Sequence, residues 1–117
     1  MRKLCAALAT VFLFALVVPA LAAEITGDLV DQDCYTKDKA SVTHAECDLA
    51  GAKKGQPVIL VTDKGEVYVI AGDMTKNNNT RLVPYMSQKV TIVGSMGVDS
   101  KGQKLMFGSA IRRLPKP

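Results

Sequence analysis

Cys34 and Cys47 stand thirteen positions apart, and the only histidine of the chain, His44, lies three before the second cysteine. Three kinds of chemistry fit these residue types. Two thiolates and an imidazole suit zinc or copper, and a spacing of three puts His44 and Cys47 on one helix face, with Asp33 or Asp31 as a further ligand. A thiol–disulfide catalyst is the second, but such catalysts usually set two cysteines close together at a helix N-terminus, where the dipole lowers the attacking thiol's pKa. A spacing of thirteen departs from that arrangement. The third is a structural disulfide closing the intervening loop, and the compartment decides among the three.

The first residues point to that compartment. Met1-Arg2-Lys3 is a basic start, 4–18 is an almost unbroken apolar run, and Pro19-Ala20-Leu21-Ala22 ends it with small residues at positions −3 and −1. This is the pattern of a secretory signal peptide cleaved after Ala22. The run is shorter than the roughly 20 residues of a membrane span, and no later stretch is apolar enough to span. The chain therefore divides into a leader, 1–22, and one mature domain, 23–117, of 95 residues, expected to be periplasmic or secreted. Cys5 leaves with the leader, so Cys34 and Cys47 are the remaining pair in an oxidising space. A disulfide is the expectation, stabilising the domain by roughly 3 kcal/mol through loop closure. A bridged pair offers no thiolates, so no metal or other cofactor is expected. The metal set Cys34, His44, Cys47 and Asp33 stands as the alternative.

Composition removes other function classes. Loss of Arg2 and Lys3 leaves thirteen basic against eleven acidic residues, a balance of +2 that is no nucleic-acid signature. The aromatics outside the leader are Tyr35, Tyr68, Tyr85 and Phe107, too few for a base-stacking platform. The basic tail Arg112-Arg113-Leu114-Pro115-Lys116-Pro117 is expected to be a frayed, solvated terminus. His44 has no nucleophile elbow to work with. Along a continued strand Asp31 and Asp33 face one way and Asp28 the other, as solvated edge carboxylates. Met74, Met86, Met96 and Met106 are too scattered for a copper site and are expected to fill the core. No enzyme is expected.

The elements that must position the cysteine stretch follow from periodicity. Ile25, Gly27 and Leu29 alternate with polar residues, predicting a first strand running to about Asp31. Thr43-His44-Ala45-Glu46 matches a capping box, predicting a helix over 44–52 that carries Cys47 and ends near Gly55. Two β-branched runs, 57–62 and 66–71, flank a tight Asp63-Lys64-Gly65 turn. A polar loop, 72–80, leads to a helical turn over 81–87 whose Leu82, Val83 and Met86 face the sheet. Alternating strands are predicted over 89–96 and 104–112 around a glycine-bearing hairpin loop. Five strands with a helical element before the fourth is the order of an OB-fold, so the fold class expected is all-β with short helices: a five-stranded OB-fold-like barrel with a disulfide-pinned helix between strands 1 and 2.

The motifs Gly27-Asp28-Leu29-Val30-Asp31, Cys34-Tyr35, His44-Ala45-Glu46-Cys47, the Leu60 to Ile70 hairpin and Val90-Thr91-Ile92-Val93-Gly94 follow one another in an order that resembles a group of small exported bacterial OB-fold proteins. The likeness spans nearly all of the mature chain. It implies a fold and an exported location, and no reaction. Relatives in that group often carry another cysteine four residues after the histidine-x-x-cysteine, where this chain has Gly51. OB barrels typically bind across strands 2 and 3 and the loops beside them. The expected face here is Lys64, Glu66 and Tyr68 with Asp73, Asn77 and Asn78 of the polar loop. The function expected is a non-enzymatic binding or envelope-accessory protein whose partner is a protein, a glycan or an envelope component.

Overall fold

The computed structural model describes residues 22–115. The expected leader, with Cys5, lies outside the described residues except for Ala22. Five strands, β1 (Ala23–Asp31), β2 (Val58–Val61), β3 (Val67–Ala71), β4 (Lys89–Val98) and β5 (Lys104–Arg113), form one mixed sheet that closes into a ring in the order β1-β2-β3-β5-β4. Antiparallel ladders join all neighbours except β3 and β5, which run parallel, Val69 opposite Leu105. Closure through β1, which pairs with both β2 and β4, leaves few open edges to cover.

Alternation decides what fills the ring. Leu29, Val58, Leu60, Tyr68, Ile70, Val90, Ile92 and Met106 point inward and are buried. β4 and β5 slip register at Val93/Gly94, where Ser109 is left without a partner on β4. Gly94 is required at that bulge, since a β-carbon there would collide with the Phe107 carbonyl. One end of the ring is closed by helix α2 (Ala45–Lys53) and by the β3–β4 connection, which add Ala52, Met74, Leu82 and Met86 to the core. The expectation for Leu82 and Met86 holds, although the turn is a short 3₁₀ segment, Val83–Tyr85.

β2 reads Val-Ile-Leu-Val without a polar break, and all four residues are buried. Val58 and Leu60 face the ring. Ile59 and Val61, with Val30 of β1, face outward into a second apolar cluster covered by Tyr35 and Val42. Those two belong to the 32–53 insertion, made of a short helix α1 (Gln32–Lys37), a polar loop and α2. A continuous apolar strand is what burial on both faces demands.

Several sequence expectations change. Met96 does not fill the core but is 47% exposed on β4. β1 ends at Asp31 as expected, but Asp31 is also the N-cap of α1 and fully buried, while Asp33 is an exposed residue of that helix, so the three aspartates do not form a strand edge. The predicted capping box is not formed. His44, not Thr43, is the N-cap of α2, its side chain makes no cap, and the carboxyl that reaches back belongs to Asp48, two positions beyond Glu46. Finally, Arg112 and Arg113 are not a frayed tail but the end of β5. Arg112 donates to Glu24 at 2.9 Å, and Arg113 donates to the Gln88 side chain and the Pro84 carbonyl while lying 4.5 Å over the Tyr85 ring.

Cys34 and Cys47 are bridged, with their α-carbons 6.1 Å apart. The bridge ties α1 to α2 and so holds Tyr35 and Val42 on the outer cluster. Replacing both cysteines by serine should lower unfolding free energy by about 3 kcal/mol in urea titrations, with the far-ultraviolet spectrum retained.

Candidate functional site

The junction between the ring and the insertion is built on two fully buried aspartates. Asp48 Oδ1 accepts from the Asp31 amide at 3.0 Å, and Asp48 Oδ2 accepts from the His44 amide at 2.9 Å and the Ser87 hydroxyl at 2.6 Å. Ser87 reaches it because its backbone is held in the left-handed region, φ 62°, by a 2.7 Å bond from its amide to the Leu29 carbonyl. Three donors thus satisfy a carboxyl group that is 0% exposed.

Asp31 is less well served. Its Oδ2 accepts from the Cys34 amide at 3.1 Å, capping α1, but Oδ1 is buried with no hydrogen-bond partner. That oxygen lies against Gly51: a β-carbon on Gly51 would overlap it, and would also press on the Gln56 side-chain oxygen. Position 51 therefore has room only for glycine. Burial holds the Asp31 carboxyl above its ordinary value, and the nearby Asp33 and Asp48 charges act in the same direction against the Cys34 and Asp33 amides.

A cleft of about 180 Å³ opens beside this pair, lined by Asp31, both cysteines, Gly51, and the lysines Lys37 and Lys54 among others. The alternative metal set is not assembled there. Both sulfurs are in the bridge, Asp33 points to solvent from α1, and the His44 Nε2–H donates to the Asp38 carbonyl at 2.9 Å. That bond is the main reason the imidazole is held above its ordinary pKa. Among the described residues no group of three or more histidine, cysteine, aspartate or glutamate side chains is placed to hold a metal ion.

The residues expected to form a binding face fall at two ends of one strand. Lys64 and Glu66 lie at the β2–β3 turn, and Glu66 is tied to Lys104 at 3.0 Å. Tyr68 is not exposed: it points into the ring, with the Lys104 ammonium 5.3 Å from its centroid. Asp73, Asn77 and Asn78 follow the other end of β3, roughly 17 Å away along five residues of extended chain. Asp73 is paired with Lys76 at 2.8 Å, which lowers its pKa. Asn77, Asn78 and Asn79 all adopt left-handed φ, a conformation asparagine tolerates better than most residues. The purpose of this turn is visible at Asn79, which is buried and donates through Nδ2 to the Ala52 and Gln56 carbonyls at 3.0 Å each, sealing the C-terminal end of α2. The polar loop is thus an anchor for the insertion.

What remains open on the outer face of β3 was not foreseen. Val67 and Val69 are half-buried at the edge of the outer cluster and line a cleft of about 300 Å³ with Gln32, Gly102, Gln103 and Lys104. It lies between the start of the insertion and the β4–β5 loop. The alternation of Val67 and Val69 with Tyr68 and Ile70 was a signal for an outward apolar pair. A third cleft, about 280 Å³, separates Glu24–Thr26 of β1 from the β2–β3 turn.

Comparison with protein-family models, curated proteins and solved structures found no match.

The Asp31 environment has a measurable consequence. A carboxyl whose folded pKa is raised holds a proton that the unfolded chain releases, so its stabilising contribution is full below the ordinary value of 3.8 and is lost as pH rises through the raised native value. Urea unfolding of the wild type and of Asp31→Asn from about pH 3 to about pH 7 should show wild-type stability, relative to the variant, falling with pH. A difference that stays flat or rises would contradict the placement.

Proposed function

We propose that the chain is an exported, non-enzymatic OB-fold binding or envelope-accessory protein of the periplasm or extracellular space, with one disulfide. The ring order β1-β2-β3-β5-β4, with a helical connection between β3 and β4, supports the OB reading. The basic start, apolar run and small-residue ending of 1–22 support export, and Ala23, the residue that would follow cleavage, begins β1. A disulfide on an insertion of this kind suits an oxidising compartment.

The observation that carries the binding reading is the cleft beside Val67 and Val69. In this architecture partners dock on strands 2 and 3, between the β1–β2 and β4–β5 connections. The insertion covers the β2 half of that surface through Tyr35 and Val42, which leaves the β3 half, bordered by Gln32 and by Gly102, Gln103 and Lys104. Two valines framed by an amide pair and a lysine can take an apolar group of a partner and bond its polar edge. The partner is a protein, a glycan or an envelope component.

Two measurements test this. N-terminal sequencing of protein recovered from the export compartment should begin at Ala23. A photo-crosslinking amino acid at Val69 or Gln103 should capture a defined partner in the exporting cell, whereas one at exposed Ser109 should not. Recovery of full-length protein from the cytoplasm, or equal capture from all three positions, would overturn the reading.

A further inference from the structure

The disulfide is asymmetric in a way that a mere staple does not require. Cys34 is 4% exposed, whereas Cys47 is exposed on α2. Both line the cleft of about 180 Å³ that also contains Asp31, Gly51, Lys37 and Lys54. Gly51 follows Cys47 by four residues in α2, so the two lie one above the other on a single helix face. The unpartnered Asp31 oxygen rests against Gly51, directly along the helix from the bridge, while the other Asp31 oxygen holds the Cys34 amide. An acidic group with one unpartnered oxygen thus lines the same cleft as the buried Cys34.

We propose that this cleft is a thiol-exchange site at which a small, carboxylate-bearing thiol forms a mixed disulfide with Cys47 while Asp31 supplies the proton to Cys34. Thiolates attack a disulfide in line with the sulfur–sulfur bond, so access selects the exposed sulfur and makes the buried one the leaving group. The incoming thiolate bonds to Cys47 Sγ, the Cys34–Cys47 bond breaks, and its electron pair passes to Cys34 Sγ. Cys34 takes the proton of the Asp31 carboxyl, which then recovers one from solvent. No net oxidant or reductant is consumed, because one disulfide replaces another. Burial favours the protonated form of the Asp31 carboxyl. The groups facing it are the Asp33 and Asp48 carboxyls, which favour that protonated form, and the Cys34 and Asp33 amides, which oppose it. Lys37 and Lys54, at the last turns of the two helices, favour an anionic thiol over a cationic one, against the single exposed carboxylate of Asp33. This inference needs only the oxidised bridge, and does not rest on the binding role proposed for the β3 cleft.

The oxidised mature protein would be exposed separately to glutathione and to cysteamine at matched thiolate concentrations, quenched with iodoacetamide and mapped by mass spectrometry. The expected product carries the thiol on Cys47 and the alkyl group on Cys34, and glutathione should react several-fold faster, a preference that shrinks with added salt. Asp31→Asn should slow exchange at least about tenfold, the loss of a general acid. Per thiolate, the wild-type rate should fall as pH rises and the variant's rate should stay flat, a difference that a purely structural aspartate would not produce. An adduct on Cys34, equal rates for the two thiols, or identical pH profiles would overturn the proposal. If Asp31→Asn does not fold, the site of addition and the thiol preference, both read on the wild type, decide the matter.

Discussion

The Asp48 carboxyl draws together three segments that are far apart in the chain: the end of β1 through the Asp31 amide, the start of α2 through the His44 amide, and the residue that leads into β4 through the Ser87 hydroxyl. A buried carboxyl group without partners would be costly, so these bonds come as a set. Their geometry fixes where α2 enters and how it meets the ring. The insertion and the end of the β3–β4 connection meet at that point. Asn79 secures the opposite end of α2, so the insertion is held by hydrogen bonds at both ends of α2 and braced internally by the disulfide to α1.

Fixing the insertion determines which surface is left for recognition. Tyr35 and Val42 are held over Val30, Ile59 and Val61, so half of the outward face of β1 to β3 becomes a second small core. Val67 and Val69 mark the boundary between covered and open surface. A free β2 face would have been a broad apolar platform; the insertion narrows it to a cleft with polar margins. The same insertion creates the chemistry at its own edge, because capping α1 with Asp31 and packing Gly51 against it leaves one carboxyl oxygen without a partner beside the disulfide.

The sheet was legible because its signals are local. Alternation in Ile25, Gly27 and Leu29, the Asp63-Lys64-Gly65 turn and the late Val90–Ile92 strand each specify an element without reference to the rest of the chain. The strand count and the helix carrying Cys47 could be read in this way, and so could the pairing of that cysteine with Cys34. The organising contacts could not, because they join distant residues. Nothing near Asp48 in sequence marks it as the partner of Asp31 and Ser87, and Thr43 with Glu46 offered a more familiar capping pattern that the fold did not use. Asn79 looked like one of several loop polar residues until its two carbonyl acceptors on and after α2 were in place. The binding face expected of strands 2 and 3 includes Tyr68, yet its parity with Ile70 puts it inside. The unbroken Val58-Ile59-Leu60-Val61 run was the one sequence clue that β2 is covered on both sides.

The central claim is that Asp48 fixes the insertion to an otherwise self-sufficient ring, and amide hydrogen exchange of Asp48→Asn against the wild type tests it most directly. Local opening should appear as lost protection at the Asp31, Cys34 and Asp48 amides and through α2, while the β1–β4 and β4–β5 ladders keep theirs. Unchanged protection at Asp31 and α2, or an equal loss across every strand, would contradict the account.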